Sequence, residues 1–302
     1  MSGSGAETAA DRPRRESSMA WMLEIFDVVP VPDDPARFTG DSDGGERRIV
    51  DGSQILAQSI VAASKALPGR SVRNAHALFV SAAVPDVPLD FTVAPIKVGR
   101  SYASVNVRAE QGGKARTDCT VLLDEPQPDL VRRDTPAGLP VPGPDQAHPA
   151  PRLPLPGRQV RIVDIADIND PDAVGPPVVD AWLHYEDIPE RDELRRALLA
   201  HFTGHLGIST AMRPHAGMGT SQAHYTLSTA PVAITVTFHD PVRWGGWLRY
   251  HHDATFIGAG SAHIRGQIST EEGALIASFT QDAMVRGFGS GSATEMPPEA
   301  RL

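Results

Sequence analysis

The chain is short of cysteine, of excess positive charge and of long apolar runs, and each shortage removes a class of function. Cys119 is alone among 302 residues, so neither a disulfide framework nor a cysteine-based metal site can form within one chain. Set in a strand of alternating pattern, it reads as a small core residue. A net charge of −9 gives no broad attraction to phosphate backbones, which argues against nucleic acid as a partner. No run of about 18 apolar residues occurs and the N-terminus lacks the apolar core of a signal peptide. A soluble, cytoplasmic protein with no membrane partner is therefore expected. No G-x-S-x-G elbow is present, which removes the α/β-hydrolase route. GAGSAH at 258–263 imitates a dinucleotide loop but leads into a strand where a helix is required.

What the chain does have is a repeat. Phe79 answers Phe238 and Gly99 answers Gly258 at an offset of 159, and Gly113 answers Gly273 at 160. Both copies run in one order: an alternating strand, a break at Pro or Gly, a strand, a turn at the first matched Gly, and a hairpin. Val232, Ile234, Val236 and Phe238 share one face of the later copy's first strand, and Val105, Val107 and Ala109 give the earlier copy the same half-buried pattern. The length suits two α+β units, each with its own core.

In order, residues 1–18 and 289–302 read as disordered tails, 19–125 as the first unit, 126–158 as a linker and 159–288 as the second unit. Met22 to Val31 reads as an edge strand. From Ser53 to Leu67 the period changes: Leu56, Ile60, Ala63 and Leu67 recur at helical spacing with apolar residues on nearly every side, which predicts a buried helix with Ser53 as N-cap. Ten of the chain's 27 prolines lie between Pro126 and Pro156, a density that sustains neither helix nor sheet. A strand at 178–185 and a helix from Arg191 to Leu206 open the second unit, and strands at 222–229, 232–239, 246–255, 259–270 and 274–286 complete it.

A buried helix wrapped by an antiparallel sheet, present twice, is the arrangement of a double hotdog, with the two repeats forming one continuous sheet. The motifs DGSQILAQSIVAA (51–63), VRNAHALFV (72–80), VGRSYAS (98–104), TAMRPH (210–215), TFHDPV (237–242) and ASFTQDAMVR (277–286) resemble the acyl-CoA thioesterase II, or TesB-like, family. Their order and spacing cover about two thirds of the chain. At its first motif the family usually has Gly-Gly-Gln where this chain has Gly52-Ser53-Gln54. The resemblance implies hydrolysis of an acyl-CoA or carrier-bound acyl thioester, with coenzyme A entering as part of the substrate, no separate cofactor, no metal, and a possible homo-oligomer.

Gln281 stands out from the residues alone, because Leu275, Ala277, Phe279, Ala283 and Val285 share its strand face. A buried amide must find partners or cost about 1–3 kcal/mol; backbone groups could satisfy it, or it could serve a reaction. The resemblance implies the latter, since Gln281 matches the family's catalytic glutamine, which helps hold the attacking water. The family's other water-activating groups are an Asp and a Thr or Ser. Counting from the shared motifs, they fall on Gly204 and Pro231, neither of which can polarise or deprotonate water. Restoring them with Gly204→Asp and Pro231→Thr is then expected to raise hydrolysis.

Candidate replacements are His201 and His205, four apart and flanking Gly204. Such a pair also hints at metal, although spacing alone offers no third ligand. Thr229 could supply the hydroxyl only through a register change. At least one of His251 and His252 should face solvent. Arg132, Arg133, Arg152 and Arg158 read as linker residues, serving solubility or contacting coenzyme A phosphates. Beside a hydrolase that uses Gln281 with His201 or His205, two alternatives stand: a dehydratase, isomerase or cyclase acting on a specialised acyl thioester, and a non-catalytic acyl-thioester-binding protein.

Overall fold

The computed structural model describes residues 18–44, 49–135, 138–150, 153, 155–223, 225–239 and 241–288. The expected tails lie outside these residues except for Ser18, which caps the first helix. In chain order the elements are α1 (Met19–Phe26), β1 (Val29–Val31), β2 (Asp34–Gly40), α2 (Gly52–Ala66), β3 (Ser71–Phe79), β4 (Leu89–Val98), β5 (Tyr102–Gln111) and β6 (Lys114–Asp124). The second half has β7 (His148–Pro149), β8 (Arg158–Ile162), β9 (Val178–Tyr185), α3 (Asp192–Phe202), α4 (Gly207–Met212), β10 (Leu227–Phe238), β11 (Trp247–Gly258), β12 (Ser261–Thr270) and β13 (Leu275–Gly287).

Among the described residues the thirteen strands form one antiparallel sheet in the order β1-β2-β4-β5-β6-β3-β10-β13-β12-β11-β9-β8-β7, a double hotdog in which β3 answers β10 and the two meet at the centre. The joint runs from Ala233 opposite Leu78 to Thr237 opposite Asn74, and cross-strand side chains reinforce it. Asn74 donates to the Thr237 hydroxyl at 2.8 Å, and His76 Nδ1 lies 2.8 Å from Thr235 Oγ1. The matched glycines mark equivalent turns: Gly113 (φ 73°) and Gly273 (φ 91°) close the β5–β6 and β12–β13 hairpins in a backbone region that glycine enters without strain.

α2 lies in the concave face, with Leu56, Ile60, Val61 and Ala62 fully buried. Its cap is Asp51 rather than Ser53: the Asp51 carboxylate accepts from the Ser53 amide at 3.0 Å, satisfying a donor left open by the helix start. Of the expected edge strand at 22–31, only Val29–Val31 is strand, and it does end the sheet; 22–26 belong to α1, because Met19, Met22, Ile25 and Phe26 bury one face at helical spacing under the Ser18 cap. The expected helix from Arg191 to Leu206 ends four residues early, at Phe202. Leu206 takes the left-handed conformation (φ 64°) and turns the chain into the short α4.

The strands expected at 222–229 and 232–239 are one strand, β10. Its register to β13 shifts between Pro231 and Ala233, so Val232 turns outward and is 45% exposed. A bulge accommodates the proline there, and β3 pairs only from Ala233 onward, so Pro231 breaks no central ladder. The proline-rich stretch carries a short 3-10 turn at Pro144–Gln146 and the two-residue β7. It lies on the outer side of the sheet, where Trp182 Nε1 donates to Pro142 O at 2.9 Å. Cys119 is buried on β6, and burial pushes its thiol up to about 12, which leaves it inert. Among the described residues no helix is long and apolar enough to cross a membrane.

Candidate active site

The ends of two helices meet at one place. The turn after α3 places Gly204 against the start of α2, so closely that a Cβ on Gly204 would lie 2.7 Å from both Ser53 Cβ and Ser53 Oγ. The glycine is there for close approach, and it sits in the turn rather than inside the helix. In front of it stands the Asp51 carboxylate, whose Oδ1 would be 3.6 Å from that Cβ. A carboxylate from the first repeat thus occupies the space before the glycine of the second.

The same oxygen accepts from the Ser53 hydroxyl at 2.9 Å, and Asp51 Oδ2 lies 3.8 Å from His205 Nε2. His201, on the last turn of α3, and His205, beyond its end, pack with ring centroids 5.1 Å apart. His201 also meets Phe26 of α1 at 5.3 Å, while His205 stacks flat on Phe202 at 4.9 Å. Burial, with His205 beside it, drives the His201 imidazole down to about 3 against the pull of Asp51, so it is neutral at physiological pH. Burial alone would raise the Asp51 carboxyl. His205, His201 and the two Ser53 hydrogen bonds outweigh it and hold the carboxyl below the ordinary carboxylate range. The result is an ionised carboxylate facing an imidazole, with the Asp51 side chain about one-third exposed and His205 half as much.

Gln281 is fully buried on β13, as its strand pattern implies. Its carboxamide lies where a side chain on Gly207 would be: a Cβ there would fall 1.8 Å from Gln281 Oε1. The amide therefore rests on the backbone two residues past His205, and neither Oε1 nor Nε2 has a hydrogen-bond partner among the described residues. Pro231 faces the same side one pairing step away, opposite Ala283, whereas Thr229 is a further step off, opposite Val285. The register shift falls after Pro231 and does not bring Thr229 to Gln281.

Asp51, His201 and His205 each present a ligand atom, all within 4.8 Å of one another. The fold thus supplies the third donor that spacing did not, and a two-histidine, one-carboxylate set could hold a divalent cation. The Arg158 guanidinium, close enough to act on both Asp51 and His201, opposes a second positive charge there. Arg158 is no exposed linker residue: it sits on β8 with its guanidinium over the Phe202 ring at 5.5 Å, and burial lowers its pKa. Arg132 and Arg133 are exposed, and Arg152 lies outside the described residues. His251 and His252 are both sequestered. His251 is covered by the linker at Gly138 and bonds Asp180 at 2.9 Å, while burial pushes the fully buried His252 down to about 4. Asp51 is the site residue that sequence reasoning missed; its only signal was its place just ahead of the buried helix.

Two helix-centred antiparallel repeats joined in one sheet, with polar groups gathered where the helix ends meet, define a double-hotdog protein of the thioester-processing kind. The chain belongs to the acyl-CoA thioesterase family: residues 44–123 match its N-terminal domain and residues 134–285 its C-terminal domain. It is an acyl-CoA thioesterase-like hydrolase. It is 25% identical to mouse acyl-coenzyme A thioesterase 8 over 78% of this chain and 79% of that one. It is 24% identical to acyl-CoA thioesterase 2 of Haemophilus influenzae over 82% and 92%. The fold is shared with a tesB protein from Mycobacterium avium subsp. paratuberculosis, at a TM-score of 0.75 and 20% identity, covering 89% of this chain and all of that one.

Proposed function

We propose that the protein hydrolyses acyl-CoA thioesters at the junction of the two repeats, with Asp51 and His205 activating water and Gln281 holding it against the thioester carbonyl. The observation that carries this reading is the Asp51 carboxylate in front of Gly204. The family resemblance implies a carboxylate at position 204; this chain has glycine there, and the carboxylate arrives through space from the other repeat. Ser53 fixes its orientation through two hydrogen bonds, leaving Oδ2 toward His205. A base positioned in this way contributes typically 10²- to 10⁴-fold, and the Gln281 amide, with its hydrogen-bonding capacity unspent, is suited to the water and the developing oxyanion. His201, neutral and packed on Phe26, keeps the His205 ring in place. Coenzyme A is the preferred carrier, in keeping with the family and with the relatives' names.

The test is release of free thiol from a panel of acyl-CoA esters by the native protein and by Asp51→Asn. Loss of two or more orders of magnitude in the variant, with the fold intact, is expected. Unchanged turnover would remove Asp51 from the mechanism. A mass change in the acyl group without thiol release would select the dehydratase-like alternative.

A further inference from the structure

The polar groups at the helix ends have a second chemistry open to them. Asp51 caps α2, His201 lies on the last turn of α3 and His205 just beyond it, and one donor atom of each is within 4.8 Å of the other two. The bare backbone of Gly204 lets the carboxylate stand this close: a Cβ there would already lie 3.6 Å from Asp51 Oδ1. That oxygen accepts both Ser53 hydrogen bonds, which fixes the carboxylate, and Oδ2 lies 3.8 Å from His205 Nε2. His201 Nδ1 is shut off from solvent with no hydrogen-bond partner among the described residues. A buried polar atom in that position calls for an explanation, and Phe26, packed on the ring, supplies no partner for it.

A tetrahedral zinc ion with donors at about 2.0–2.1 Å holds them about 3.3 Å from one another. Asp51 Oδ2 and His205 Nε2 would have to close by only about half an ångström to meet that spacing. Two imidazoles, one carboxylate oxygen and an open position suit zinc and its first-row neighbours. Magnesium and calcium, which ask for a shell of oxygens, are not served. The open position lies toward solvent, since the Asp51 side chain is about one-third exposed. Arg158 acts on both Asp51 and His201; its charge weakens the hold on a cation and favours an anion, such as hydroxide or chloride, as the fourth ligand. The ion is therefore one that exchanges. We propose that Asp51, His201 and His205 form an exchangeable site for zinc, and that zinc there switches hydrolysis off by occupying Asp51 Oδ2 and the His205 lone pair. The inhibition, unlike the binding, rests on the reading that Asp51 and His205 activate water.

Binding and turnover are measured separately. The untagged, chelator-treated chain is titrated with Zn²⁺ by calorimetry and with Co²⁺ by its visible absorption bands, with Mg²⁺ as the hard-ion control, beside Asp51→Asn, His201→Gln and Ser53→Ala. The native protein should take up one equivalent of zinc or cobalt and no magnesium. Ser53→Ala, which removes one hydrogen bond that orients the carboxylate, should weaken binding by about 10–100-fold, and loss of a ligand should weaken it further. Zinc should raise the melting temperature of the native protein but not that of Asp51→Asn or His201→Gln, whose own melts show whether they fold. Hydrolysis, followed as loss of acyl-CoA by chromatography so that no thiol dye competes for the ion, should fall as the site fills and recover with chelator. The turnover that His201→Gln retains should resist zinc. Absence of binding, or binding that survives in both Asp51→Asn and His201→Gln, would overturn the proposal. Zinc bound through these residues with turnover unchanged or raised would overturn the switch. Turnover that ignores Asp51→Asn while zinc binding is lost would count against the water-activating reading and leave the metal site standing.

Discussion

Replacing Gln281 with methionine should make the protein more stable and nearly inactive. Both polar atoms of this carboxamide are buried and have no partner among the described residues; its surroundings are the Gly207 backbone and the apolar face of β13, with Ala283 and Phe279 on either side. A buried unsatisfied polar group costs about 1–3 kcal/mol, and methionine has nearly the same length and flexibility without that demand, so Gln281→Met should recover part of this amount. At about 2–4 °C per kcal/mol for domains of 150–250 residues, the melting temperature should rise by several degrees. Hydrolysis should fall by on the order of 10²- to 10³-fold, the usual effect of removing one donor from a carbonyl-activating site, with most of the loss in kcat. Thermal unfolding followed by circular dichroism and thiol release with a trapping dye measure the two halves independently. A variant that melts lower than native and keeps its turnover would show that the amide is a structural group, and the argument from its missing partners would fail.

The other expected outcomes turn on the same junction. Gly207→Ala should displace the Gln281 carboxamide, because the new Cβ would stand 1.8 Å from its Oε1; activity should drop, and the stability loss should shrink when Gln281→Ala is added, a coupling that a double-mutant cycle reads directly. Gly204→Ala should destabilise by about 1–3 kcal/mol through overpacking against Ser53, and Ser53→Gly in the same chain should recover most of it; denaturant melts in which the double variant is no better than the single would contradict this. Gly204→Asp with Pro231→Thr, expected from the sequence to raise hydrolysis, should fail to do so in the thiol-release assay, since the new side chain meets Ser53 at 2.7 Å and sets a second carboxylate beside Asp51. Stability should fall with pH between about 6.5 and 4: His201, driven down to about 3 when folded, takes up its proton in the unfolded chain first, so the unfolded state gains protons across that window. His201→Gln should flatten the slope in melts taken across pH but not remove it, because His252, lowered to about 4 by burial, contributes in the same direction.

The architecture was legible in the chain because it rests on local periodicity repeated twice. The two-residue alternation of β10 and β13 and the apolar surround of α2 belong to neighbours in sequence, and the near-constant offset of the three matched pairs showed such a local pattern occurring twice; together they led to a doubled hotdog and to a buried Gln281. Errors came where two local patterns compete over a few residues. Met19 to Phe26 carries helical spacing inside a stretch that also alternates, and the apolar spacing of Leu198, Phe202 and Leu206 runs on past the point, just ahead of Gly204, where α3 stops, with Leu206 itself left-handed before Gly207.

The site's base could not be read in this way. Asp51 and Gly204 are 153 positions apart, and nothing about either signals the other; their meeting depends on two helices lying in one concave face with their ends in register. The same holds for Arg158. Among prolines it looks like a solvated linker residue, and only its pairing with Tyr185 across β8 and β9 turns it toward Phe202. Periodicity specifies which face of an element is buried, because that is decided residue by residue. Which charged group faces which is decided by the packing of whole elements, and no local pattern encodes it.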